Sequence, residues 1–206
     1  DNSLFCKHSV CLLSKGCVMF NSSVFKSNHI LLALTAMLLM ACDTTSSIPY
    51  KASTENVINM QSKIADGSKV GISSVTFAPG AQSSMLCRAM GDLDVGAGKT
   101  VPDYIKSAFQ EELFMAQRYD PNSKTQLTIE IQELSFSTIS PAYWDIGLKM
   151  SPNNPNGYSV RVRHNFKTSF SAWGACKNAV AAFGGAVQSV IQEVVNHPNF
   201  TRLGDT

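Results

Sequence analysis

The chain has 206 residues, 44% of them hydrophobic, with 17 Lys and Arg against 15 Asp and Glu. Three of the basic residues and one of the acidic ones precede position 42, so residues 42–206 (165 positions) carry 14 of each sign. That balance argues against nucleic-acid binding by phosphate neutralisation, which needs a basic excess or stripe. A segment of this length makes one domain, able to bury ~70% of its unfolded surface.

Residues 1–18 hold Cys6, Cys11 and Cys17, show no usable periodicity and read as an over-extended leader. Met19 then opens a conventional signal-peptide start, and residues 19–41 follow the order of a secretory signal. Lys26 and His29 make a weakly positive flank, Ile30 to Ala41 an apolar block of about a dozen residues, and Ala41 a small residue at the cut. The block is too short to cross a bilayer, which takes about 20 apolar residues. Its ending, Leu39-Met40-Ala41-Cys42, resembles the lipobox of bacterial lipoproteins. The resemblance implies a thioether-linked diacylglycerol and palmitate-type acylation at Cys42, which becomes the mature N-terminus. It also implies residence in the Gram-negative envelope, lipid-anchored and facing the periplasm. Asp43 resembles the inner-membrane retention signal of enteric bacteria, a rule that differs between lineages, so the choice of membrane stays open.

Residues 42–54, rich in Ser and Thr, read as a polar tether, and residues 55–206 as one globular domain. Glu55 to Ile64 has mixed apolar spacing and is either a short helix or irregular packing. Lys69 to Ala78 alternates as a strand, with a change of face at Ser73-Ser74 that marks a bulge. Pro79-Gly80 ends it, and residues 80–100 form a long connection. A helix then runs from Thr100, its N-cap, to about Arg118. Asp103 approximates a capping box, Pro102 lies in the first turn, and Ile105, Ala108, Phe109, Leu113 and Ala116 form the apolar stripe. Tyr119 to Asn122 breaks the helix. A strand from Gln126 points Leu127, Ile129 and Ile131 one way, then slips by one residue at Glu133 before Leu134 and Phe136. Tyr143 to Met150 alternates with Trp144, Ile146, Leu148 and Met150 on one face. Ser151 to Gly157 is a hairpin loop. Tyr158 to Phe170 alternates as a long strand, with Arg161, Arg163 and Lys167 on its polar side. The last element is a helix from about Ala175 to Asn196, where Gly184-Gly185 permits close approach or marks a kink. The expectation is an α+β fold: a mostly antiparallel sheet of about four strands with two amphipathic helices on one face, in the order β-α-β-β-β-α.

The domain holds two cysteines besides Cys42. An exported pair such as Cys87 and Cys176 tends to be bridged, and two buried thiols are the competing reading. Catalytic signatures are lacking. His164 sits on an apolar strand face and reads as a core or boundary histidine; His197 stands at a helix C-terminus, where a cation is favoured. Neither has a carboxylate at metal-ligand spacing, so no metal or cofactor is expected. No Gly-x-Ser-x-Gly elbow is present. Asp92 and Asp94 lack the third ligand and terminal Glu of a calcium loop. Gly96-Ala97-Gly98-Lys99-Thr100 lacks the first glycine of a phosphate loop and reads as a turn leading to the Thr100 cap. Trp144 shares its face with Ile146 and Leu148, so burial is its expected role.

Stretches such as SSMLCRAMGDLDVGAGKTVPDYIKSAFQEELFMAQRYDP and FKTSFSAWGACKNAVAAF resemble an uncharacterised group of small periplasmic lipoproteins. The element order is similar to auxiliary lipoproteins of transport and envelope assembly. The resemblance implies a non-enzymatic accessory protein, anchored through Cys42, that binds another envelope component. The polar row Arg161, Arg163 and Lys167 is the candidate contact surface. The alternative is a module binding a small ligand or lipid between helices and sheet.

Overall fold

A computed structural model describes residues 48–81, 85–96, 98–153 and 157–201. Cys42, the lipobox and everything before residue 48 lie outside the described residues. Seven elements follow in order: α1 (Thr54–Lys63), β1 (Val70–Phe77), α2 (Val101–Met115), β2 (Thr125–Ser137), β3 (Ala142–Pro152), β4 (Tyr158–Phe166) and α3 (Ala172–Asn196). The strands form one sheet in the order β1-β2-β3-β4. β1 and β2 run parallel, and the other two pairs antiparallel. A parallel pair cannot be joined by a hairpin, and α2 is the crossover that connects it. The fold is therefore α+β with a mostly antiparallel mixed sheet. The Glu55–Ile64 stretch, left between helix and irregular packing, is the third helix.

Local chemistry explains the boundaries. Each helix begins at a hydroxyl cap whose oxygen accepts a backbone N–H three residues on: Ser53 from Asn56, Thr100 from Asp103, Ser171 from Gly174. Thr100 also donates to the Asp103 carboxylate at 2.6 Å. Because Ser171 supplies a cap, α3 starts at Ala172, ahead of the expected start near Ala175. The two bulges fall where the alternation slips, between Ile72 and Ser74 in β1 and between Ile131 and Glu133 in β2. The expected strand to Phe170 is corrected: β4 ends at Phe166, which pairs with Ala142, the first residue of β3. Beyond it there is no strand to pair with, so Lys167 and Phe170 lie in the connection to α3.

One face of the sheet takes α2 and α3, α1 packs against those two helices, and the core forms between them. Trp144, Ile146, Leu148 and Met150 on β3 are wholly buried against Phe183, Val187, Val190 and Ile191 of α3. The Trp144 indole donates to the Ala179 carbonyl at 2.9 Å, which satisfies its only donor. Gly184-Gly185 is a point of close approach within an unbroken helix. A Cβ on Gly184 would stand 3.2 Å from the Tyr104 hydroxyl, and one on Gly185 3.1 Å from His164 Nε2. The fold also begins earlier than position 55. Tyr50 and Ala52, in the expected tether, pack against the core.

Candidate binding surfaces

The second face of the sheet is uncovered among the described residues and carries a cross-strand ion network. The β2 bulge puts Glu133 opposite Gly147, which pairs in turn with Arg161 of β4. With no side chain on Gly147, the Arg161 guanidinium crosses the middle strand to donate to Glu133 at 2.7 Å. Arg163 grips Asp145 through two hydrogen bonds, at 2.8 and 2.6 Å, and its guanidinium lies 3.9 Å from the centre of the Tyr143 ring. Arg161 also stands 3.7 Å from Asp145. The bidentate bond from Arg163 is the main cause that holds the Asp145 carboxyl below the usual range, and Asp145 holds Arg163 above its own. The expected basic row is thus a mixed-charge platform. Arg161 and Arg163 are spoken for by neighbouring strands, and Lys167 is exposed past the end of β4.

Gly147 is the keystone of that platform. A Cβ there would come 3.2 Å from Glu133 Cβ, tighter than an ordinary contact. Gly147→Val should lower stability by about 1–3 kcal/mol, as overpacking does. A urea titration checks it, and Gly147→Ala should fall between the variant and the parent.

A different surface closes the end of the domain where α3 begins. Cys87 and Cys176 are disulfide-bonded, with Cα atoms 6.0 Å apart. The bridge ties the turn Cys87–Gly91 to the first turns of α3. In that turn Met90 N–H donates to the Cys87 carbonyl at 2.7 Å, and Arg88 and Ala89 both have left-handed backbone, φ 46° and 59°. Arg88 reaches over the β2–β3 turn, donating to Thr138 Oγ1 at 2.8 Å and to the Thr138 carbonyl at 2.7 Å. Around this clasp Leu86, Met90, Ile139, Phe170 and Trp173 are exposed, Ile139 at 74% and Phe170 completely. Leu86, Ile139 and Phe170 among them border shallow hollows of about 370 and 710 Å³.

The helical side holds a polar cluster that the sequence reading did not single out. Glu112 is wholly buried. Its Oε1 accepts from the Tyr50 hydroxyl, from Ser53 N–H at 3.0 Å and from Asn56 Nδ2 at 3.3 Å. Asn56 Nδ2 also donates to the Gln188 carbonyl of α3. Glu112 Oε2 and the Tyr104 hydroxyl are buried without a hydrogen-bond partner. Burial raises the Glu112 carboxyl above its ordinary range, against the three donors, with Glu111 adding a small push the same way. Burial and the neighbouring carboxylate likewise raise the Tyr50 phenol. The signal was present in the sequence: Glu112 is three residues past Phe109 and four past Ala108, on the buried stripe.

The histidines have structural partners. His164 Nδ1 is 2.9 Å from Ser189 Oγ, and that hydroxyl donates to the Gly185 carbonyl, so the imidazole is the donor to Ser189. Burial lowers the His164 pKa. His197 stacks flat on Tyr158, with ring centres 4.1 Å apart. In the glycine turn, Asp94 Oδ1 accepts the backbone N–H groups of Gly96 at 3.2 Å and Gly98 at 3.3 Å. Among the described residues no three His, Cys, Asp or Glu side chains are grouped to hold a metal, and no helix is long and apolar enough to cross a membrane.

No family model and no curated protein matches the sequence. Among solved structures the chain is similar to protein XCC0632 from Xanthomonas campestris, of the DUF330 family. The likeness has a TM-score of 0.44 and 13% identity, and it covers 69% of this chain and 92% of that one.

Proposed function

We propose that this chain is a lipid-anchored accessory protein of the Gram-negative envelope. In this reading the acylated Cys42 tethers the domain, which binds another envelope protein through its uncovered sheet face and turns over no substrate. The carrying observation is the uncovered sheet face that ends at β4, an edge strand with one neighbour among the described strands. Arginines held by carboxylates and stacked on tyrosine have little side-chain freedom left to lose on binding, and arginine and tyrosine are enriched among interface hot spots. The alternative, a ligand between helices and sheet, has less support. Tyr104, Phe183, Trp144 and Phe136 pack ring on ring across that layer, with successive centres 5.3, 5.0 and 4.8 Å apart.

Because Arg161 and Arg163 belong to the ion network, exposed residues without such roles make the better test. Ser159 and Asn165 lie on the same face and are exposed. Ser159→Trp with Asn165→Trp should leave the unfolding free energy within about 0.5 kcal/mol of the parent, as surface changes usually do. Recovery of the crosslinked partner from intact cells should fall about tenfold, a loss of ~1.4 kcal/mol in binding. Undiminished recovery moves the interface off this face.

A further inference from the structure

The apolar end braced by the disulfide points to a second contact, with the bilayer itself. We propose that the Leu86–Met90 turn, Ile139, Phe170 and Trp173 form a membrane-facing end that sits in the lipid interface. The inference rests on the reading of Cys42 as the lipid anchor and adds which end of the domain the anchor brings to the lipid.

The first support is the direction of the chain entering the domain. From Lys63 back to Tyr50, contacts climb α3 toward its N-terminus. Lys63 Nζ donates to the Val195 carbonyl, Gln192 Nε2 to Glu55, and Gln188 Nε2 to the Lys51 carbonyl. Tyr50 then packs edge-on to Tyr104, which packs at a tilt against Phe183 beside Gly184. Pro49 borders Gly96 and Lys99, at the foot of α2. The first described residues therefore lie toward the end of the domain where α3 starts. From Gly184 to Trp173 is about 16 Å along the helix axis, at ~1.5 Å per residue. The seven steps from Cys42 to Pro49 span at most about 25 Å of contour. An acylated Cys42 can thus bring lipid level with Trp173.

The second support is composition. Of nine large apolar side chains exposed among the described residues, five gather at this end. They include a tryptophan with the Lys177 ammonium 4.9 Å from its ring centre. Lys167 is exposed in the same connection, and Asp92 pairs across the turn with Leu86. Aromatic and aliphatic side chains mixed with basic ones suit the headgroup boundary, where tryptophan concentrates. Seating this end in lipid leaves the uncovered sheet face clear for a protein partner.

The chain has two tryptophans, and Trp144 is wholly buried, so Trp173 serves as the reporter. The test takes the full, processed chain into vesicles of phosphatidylethanolamine and phosphatidylglycerol, with and without bromine on the acyl chains. Flotation is measured alongside fluorescence. We expect the protein to float and bromolipid to quench its emission about twofold, with the quenched component absent from Trp173→Phe. Ile139→Glu with Phe170→Glu, both at exposed positions, should still float and should lose most of the quenching. A protein that floats but is not quenched overturns the membrane-facing end and leaves the anchor standing. One that does not float overturns both. Should the Glu pair instead abolish partner crosslinking with quenching unchanged, the end is a protein interface and the proposal falls.

Discussion

Replacing Cys87 and Cys176 by serine should lower the unfolding free energy by about 4–5 kcal/mol, the largest loss we expect from any of the variants considered. The bridge spans 89 positions, and in the chain-entropy picture it confines the unfolded ensemble over that whole length. It also holds a turn with two non-glycine residues in left-handed backbone, a conformation that costs about 1 kcal/mol or more per residue. Once the bridge is gone, the clasp of Arg88 on Thr138 and the backbone hydrogen bonds within the turn remain to hold it. Urea titrations with and without reductant supply the measurement, and the denaturant slope should rise as the unfolded chain expands. A loss below about 1 kcal/mol would mean that the unfolded chain is little expanded by the cut, or that Arg88 alone fixes the turn.

Glu112→Ala should cost about 1–3 kcal/mol, since it strands the Tyr50 hydroxyl and the Ser53 N–H, both partly buried donors. Glu112→Gln keeps an acceptor for both and separates hydrogen bonding from charge. The folded carboxyl binds its proton more tightly than the unfolded one. The carboxyl therefore makes stability fall as pH rises from the unfolded value of about 4.3 through the raised folded value, with no further change above it. Relative to the parent, Glu112→Gln should gain stability across that window and hold the gain at neutral pH. Denaturation series at several pH values check this. A Gln variant that tracks the parent at every pH would show that the three donors compensate burial fully.

Where pattern and partner lie on one element, the sequence was readable. The slips at Ser73-Ser74 and Glu133 mark bulges because one extra residue reverses which side chains face inward, and that reversal shows in the alternation. Thr100 and Asp103 fix a helix start through neighbours three residues apart. The ion platform was not readable, because it depends on register across three strands: Glu133 meets Arg161 only over Gly147. The same limit hid the end of β4. The alternation from Tyr158 to Phe170 is intact in sequence, yet pairing stops where β3 begins. Glu112 was passed over because Gln110-Glu111-Glu112 reads as a polar run, although its helical phase sends the third residue inward. Its donors stand 56–62 positions earlier, in a segment read partly as tether.

The embrace of α1 and α3 sets a timetable for making the molecule. Asn56, Lys63, Lys51 and Glu55 find partners 132 to 137 positions downstream. A ribosome working at ~5–20 residues per second needs about 7 to 27 s to reach those partners. Throughout that wait Val57 and Met60, buried in the finished domain, lack the part of their surroundings that α3 supplies, with α2 alone to lie against. The β1–α2–β2 unit and the two hairpins are complete before α3 emerges, so the sheet assembles around a vacancy that the last helix fills. A chain halted before Gln188 would hold its first helix by α2 alone, and such a half-covered chain is the natural client of a holding chaperone.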